Sequence, residues 1–130
     1  MKYEKVVVDK KELEVLKTLF STIHNGKDKT YRLSFDKLME EIKKAMVLDS
    51  SKMPLDVIRL NSVVTIKTDF GGEKKFQIVI PSKSDLSQNK LSVMAPMGLA
   101  LFGYAENDEV EWEFPSGLNT IRITKVEQPF

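Results

Sequence analysis

Residues 63–80 read VVTIKTDFGGEKKFQIVI, and their period of two decides the class of fold. Val64 and Ile66 alternate with Val63, Thr65 and Lys67, the pattern of a strand with one buried face. Gly71 and Gly72 supply a hairpin turn, and Phe76, Ile78 and Ile80 form the inward face of the returning strand. Working outward, residues 81–90 read as a polar loop and residues 91–94 as a short strand. Pro96 then opens a helical stretch through Phe102, stopped by Gly103; proline suits a first helical turn because it leaves no N–H unpaired. Residues 109–114 alternate without a break, Pro115-Ser116-Gly117 turns the chain, and Ile121 and Ile123 continue a last strand. The expectation is an α+β unit, an antiparallel sheet of four or more strands with one short helix.

Upstream of the sheet the period lengthens to that of a helix. Asp9 followed by Glu12 is a capping-box pattern, and Val8 with Leu13 is placed to staple the helix start. Leu13, Leu16, Phe20 and Ile23 recur at helical spacing and His24-Asn25-Gly26 is a stop, which predicts a helix over residues 10–24. After a polar loop over residues 25–33, Ser34 is placed to cap a second helix. Its apolar face carries Phe35, Leu38, Met39, Ile42, Ala45 and Met46, and Asp49-Ser50-Ser51 with Pro54 ends it. Two helices joined by a short connection predict an antiparallel helical hairpin, a short coiled coil over residues 1–52, ahead of a sheet domain over residues 53–130. Two helices alone bury too little apolar surface to fold, so the hairpin is expected to lean on the rest of the chain or on a partner.

Composition narrows the function. Apolar residues make up 42% of the 130 residues and charged residues 30%, the balance of a globular domain. The absence of cysteine excludes disulfides and thiolate chemistry. Twenty basic and nineteen acidic residues leave a net charge of +1, which disfavours a free-standing DNA- or RNA-binding protein driven by counterion release. Val6-Val7-Val8 is far too short for a signal peptide, and no later run approaches a membrane span, so a cytoplasmic protein is expected.

Each candidate for chemistry has a simpler structural reading. Period two puts Glu109, Glu111 and Glu113 on one strand face and Val110, Trp112 and Phe114 on the other. With Glu106 and Asp108 they suggest a metal, but a solvated strand face explains them, and no metal is expected. His24, the one histidine, falls at the expected end of a helix, where an imidazolium meets the helix dipole favourably. Gly71-Gly72 lacks the lysine and hydroxyl residue of a phosphate cradle, so no nucleotide or other cofactor is expected. Two features remain: the polar hairpin tip at Lys27, Asp28 and Lys29, and the apolar strand-to-helix corner at Met94, Ala95, Pro96, Met97 and Gly98.

At the corner a resemblance enters. Residues 53–62, MPLDVIRLNS, resemble the interdomain segment of the regulator of nucleoside diphosphate kinase (Rnk) family. Residues 91–103, LSVMAPMGLALFG, resemble its most distinctive motif, and residues 108–117, ending WEFPSG, continue the match. That family is related to the Gre (GreA/GreB) transcription elongation factors through their C-terminal domain. The resemblance implies a helical hairpin followed by a domain like the FK506-binding proteins (FKBP-like). It implies RNA polymerase as partner, docked near the secondary channel through Met94, Ala95, Pro96, Met97 and Gly98, with DNA met only indirectly and no membrane contact. Gre factors commonly place an acidic residue and a serine before this proline; here Met94 and Ala95 stand there.

The tip bears on activity. Holding a second metal ion needs clustered carboxylates, and the loop offers Asp28 alone between two lysines. The helices reach only ~22 Å for about fifteen residues, roughly half the Gre arm. The expectation is therefore a monomeric, non-enzymatic elongation regulator that competes with Gre-type factors without stimulating transcript cleavage. The alternatives are an FKBP-like prolyl isomerase or a chaperone-type binding module, and a regulator of nucleoside diphosphate kinase levels.

Overall fold

The computed structural model describes residues 2–21, 29–69, 71–114 and 117–129. Strand β1 (Val7–Asp9) runs directly into helix α1 (Lys10–Phe20), and helix α2 (Lys29–Lys43) is followed by strand β2 (Met46–Leu48). Five strands form the main sheet: β3 (Val63–Thr68), β4 (Gly72–Val79), β5 (Lys90–Ser92), β6 (Glu109–Phe114) and β7 (Gly117–Glu127). Helix α3 (Pro96–Leu101) lies between β5 and β6 in sequence. The α+β class is as expected, and no helix among the described residues is long and apolar enough to cross a membrane.

The sheet order is β5-β4-β3-β7-β6. Val64 pairs with Phe76 and Ile66 with Lys74 across the β3–β4 hairpin, while Ile66 faces Ile123 on β7. A register shift between Thr65 and Ile66 inserts Thr124, whose hydroxyl donates to the Thr65 carbonyl at 3.1 Å. Val64, Ile66, Ile78, Ile121 and Ile123 are fully buried, so the period-two reading of the inward face holds; Phe76 is half-buried, and Ile80 falls one residue beyond β4.

The expectation of a purely antiparallel sheet is corrected by β5. It runs parallel to β4, with Gln77 opposite Lys90 and Val79 opposite Ser92. The expected polar loop makes this possible through two tight turns, Pro81–Lys83 and Leu86–Gln88, which bring the chain back to its own edge. The expected strand over 91–94 starts and ends earlier, because Met94 already belongs to the turn into α3.

The N-terminal helices differ from their expected bounds for identifiable reasons. Asp9 caps α1 as predicted, its carboxylate accepting from the N–H groups of Lys11 at 2.7 Å and Glu12 at 3.3 Å. Glu12 does not complete the box; its carboxylate accepts from the Leu60 N–H at 3.2 Å and from Arg59 Nε at 3.3 Å. Helix α1 ends at Phe20, and the expected stop at His24-Asn25-Gly26 lies outside the described residues. Helix α2 starts at Lys29, which puts Ser34 inside the helix rather than at its cap. It ends at Lys43 because residues 46–48 leave the helical period to pair in parallel with β1, Val7 opposite Met46.

One apolar cluster joins these parts. Val6, Val8, Leu13 and Leu16 are buried with Val64, Ile66, Ile78, Phe102, Ile121 and Ile123, and Ile42 and Ala45 pack against them. Helix α2 packs on α3, Leu38 on α2 is fully buried, and the rings of Phe20 and Phe35 meet edge to face at 5.3 Å. Arg59 ties the segments by charge, its guanidinium 2.5 Å from Asp9 and 3.2 Å from Glu12.

Candidate docking site

The strand-to-helix corner is built by one missing side chain. A Cβ at Gly98 would stand 2.5 Å from the Ser92 carbonyl oxygen and 2.9 Å from Val93 Cα, so α3 reaches the end of β5 only because residue 98 is glycine. Ser92 braces the turn twice: its hydroxyl accepts from the Met94 N–H at 3.0 Å and its carbonyl from the Ala95 N–H at 3.0 Å. Pro96 takes the first helical position, and the Ala95 carbonyl accepts from Leu99 at 2.9 Å. On the buried side, Val93, Leu99, Ala100 and Leu101 are inside.

The outer side of the corner is apolar and half-exposed. Met94, Ala95, Pro96 and Met97 are each part-covered, and Met94 and Met97 rest on the core cluster. Met97 continues into an open groove of about 470 Å³ floored by Phe76 and Leu91, with Lys74, Lys75, Leu86 and Asn89 around it. Leu86 stands 77% exposed and adds its apolar surface to the wall of the groove. No carboxylate lines this groove among the described residues. It can therefore grip an apolar surface flanked by negative charge.

The corner residues singled out from the sequence, Met94, Ala95, Pro96, Met97 and Gly98, thus lie together, four at the surface and Gly98 beneath. The sequence reading missed Ser92 as the brace and Leu86 as the groove wall. Leu86 gave a signal, being the one large apolar residue in the polar stretch 81–90. Of the tip residues, Lys27 and Asp28 lie outside the described residues and Lys29 is the first residue of α2. In the acidic run Glu109 and Glu111 are exposed, Val110 is buried and Trp112 packs on the core, as expected; the side chains of Glu113 and Phe114 lie outside those described. Asp108 and Glu106 serve the backbone instead, accepting from Ala105 at 2.8 Å and Val126 at 2.9 Å. Among the described residues no group of acidic or histidine side chains is placed to hold a metal ion.

Comparison with known proteins places this geometry. The family described as "Transcription elongation factor, GreA/GreB, C-term" matches residues 53–128, which hold the corner, the groove and the main sheet. The regulator of nucleoside diphosphate kinase of Escherichia coli (strain K12) is 38% identical over 86 residues, 65% of this chain and 63% of that protein. Transcription elongation factor GreA of Clostridioides difficile (strain 630) is 32% identical over 93 residues, 71% of this chain and 58% of that protein. The matches therefore leave a large part of each relative uncovered. A solved structure, the prokaryotic transcription elongation factor GreA/GreB from Nitrosomonas europaea, superposes with a TM-score of 0.73 at 31% identity, covering 95% of this chain and 98% of that one. The chain belongs to the GreA/GreB C-terminal family of transcription elongation factors.

Proposed function

We propose that this protein is a transcription elongation regulator of the cytoplasm that docks on RNA polymerase near its secondary channel. It competes there with Gre-type factors and does not stimulate transcript cleavage. The observation that carries the reading is the corner itself: a rigid apolar turn, Met94 to Met97, kept half-exposed by the close approach at Gly98 and extended by the groove. A well-braced apolar anchor loses little freedom on binding, which is how a small surface gains affinity. In this reading residues 53–130 form the FKBP-like docking domain and residues 1–52 a helical hairpin, a monomer's arm. DNA is met only within the transcription complex.

The absence of cleavage stimulation follows from sequence at the tip, where Asp28 is the one acidic residue between Asn25 and Leu33 and has a lysine on each side. A metal-assisted hydrolysis needs carboxylates to hold the ion, and one carboxylate between two ammonium groups leaves a net positive charge that opposes a cation. The test is a stalled transcription complex. Added alone, the protein should leave cleavage unchanged; added with a Gre factor, it should slow cleavage saturably, relieved by excess Gre factor. Acceleration by the protein alone would refute the tip argument. The docking corner is tested by Met97→Asp and Leu86→Asp, each expected to weaken polymerase capture at least tenfold while circular dichroism stays native. Leu86, being exposed, separates lost contact from lost folding.

A further inference from the structure

Helix α2 meets the body through a polar triangle as well as through apolar packing. Tyr104 is fixed in the body: its carbonyl accepts from the Ile58 N–H at 2.8 Å and its N–H donates to the Leu101 carbonyl at 3.1 Å. Its hydroxyl donates to the Glu41 carboxylate. The Lys37 ammonium donates to the same hydroxyl at 2.7 Å and to Glu41 at 3.0 Å, and it stands 4.6 Å from the centre of the Tyr104 ring. Lys37 and Glu41 are one helical turn apart, so both reach one point on the body. Burial, with Glu41 beside it, pushes the Tyr104 phenol well above its ordinary value, so it remains a donor throughout the ordinary pH range.

Apolar contacts beneath α2, made by Leu38 and Ile42, hold the helix down by burial, which is itself non-directional. A triangle of hydrogen bonds has one geometry, and polar groups set among apolar ones are best known for choosing a register. Tyr104 follows α3, the helix whose other end is the docking corner; six residues span only ~9 Å. The orientation of α2 and the position of the corner are therefore referred to the same short helix.

We infer that Lys37, Glu41 and Tyr104 form a latch that fixes the direction of α2, and so of the helical arm, relative to the docking corner. Its value for function rests on the docking reading above: a partner that grips the corner then finds the arm already aimed. Without the latch α2 would stay folded and packed but hold its direction less closely.

The chain has no cysteine, so nitroxide labels at Glu40→Cys on α2 and Lys83→Cys beside the sheet report one distance, measured on the free protein by double electron–electron resonance. The parent should give a narrow distribution. Tyr104→Phe and Glu41→Ala should broaden it at least twofold, whereas Glu41→Gln, which keeps an acceptor for the hydroxyl, should leave it narrow. A narrow distribution in folded Tyr104→Phe overturns the latch; should that variant fail to fold, the double variant Lys37→Met with Glu41→Ala, which keeps the buried ring and removes both of its partners on α2, gives the same reading. Polymerase capture separates the two proposals. Tyr104→Phe keeps the corner intact and should still be captured. A parent protein that polymerase does not capture sinks the docking reading while the distance result stands.

Discussion

At position 98 a single methyl group would collide with backbone rather than with a flexible side chain, because the Ser92 carbonyl is held by the Ala95 N–H and the Val93 N–H by the Val79 carbonyl of β4. Gly98→Ala should therefore cost about 1–3 kcal/mol, as overpacking does. The measurement is a urea midpoint that falls at unchanged slope; an unshifted midpoint would show that the corner yields. Arg59 poses the opposite problem. Asp9 is only 1% exposed, and without the guanidinium it keeps a buried charge with hydroxyl and N–H partners alone. Arg59→Met should cost about 3 kcal/mol by chemical denaturation. The pH dependence follows from the same site. Burial would raise the Asp9 carboxyl, but the Ser50 hydroxyl, the Lys11 and Glu12 N–H groups and Arg59 outweigh it and hold it below its ordinary value. Asp56 is likewise lowered, its burial outweighed by Lys2 and Tyr3. A lowered carboxyl stabilises the fold above its unfolded value and loses that contribution as pH falls through the folded one. Glu12, raised mainly by burial, works the other way and loses its contribution as pH rises through its folded value. Stability should thus fall below about pH 4, the ordinary carboxylate range. Asp9→Asn, which keeps an oxygen to cap α1, should flatten that fall; an equally steep fall would place the acid sensitivity elsewhere.

Ser34 separates two readings of an element by the sign of one mutation. As the cap expected from sequence, Ser34→Ala would lose about 1 kcal/mol. As an interior residue of α2, which runs from Lys29, the same change should gain a few tenths of a kcal/mol in thermal or urea unfolding. The start of α2 was misread because residues 29–33 carry no sustained apolar period, and the backbone hydrogen bonds of a helix need none. Its end was misread for the converse reason: Met46 continues the apolar period of α2, and only the pairing of Met46–Leu48 with Val7–Asp9 makes it strand. Partners some forty residues apart leave no trace in a local window. The parallel direction of β5 was hidden similarly, since period two reports which face is buried and not which way a neighbour runs. The long strands β3, β4, β6 and β7 were legible because their alternation is sustained. The strand-to-helix corner was legible for a local reason too, with Pro96 marking a helix start and glycine two residues on. Tyr104, joined to Lys37 and Glu41 across more than sixty residues, could not be found this way.

For the molecule as a whole, the question is whether the N-terminal helices are an appendage or part of the body. Leu16 on α1 is fully buried in the cluster that holds Val64, Ile66, Ile78 and Ile123, and Val8 of β1 and Val6 just before it join that cluster. Trp112, the one tryptophan, packs against that cluster from β6 and reports on the sheet. If one core serves both parts, Leu16→Ala should remove about 2–5 kcal/mol from the entire protein, a large share of what a domain of this size commands. Helical circular dichroism and Trp112 fluorescence should then lose their midpoints together and remain superimposable, the sign of a single cooperative transition. A fluorescence midpoint that stays in place while the helical signal shifts would mean that the boundary near residue 52 is also an unfolding boundary. The shared core predicts a further asymmetry. A chain beginning at residue 53 would leave uncovered the apolar seat that Val6, Val8, Leu13 and Leu16 fill, although it retains every main strand. Such a fragment should unfold at lower urea than the full chain, by at least the loss seen in Leu16→Ala, because it forfeits four buried side chains where the point mutant forfeits one.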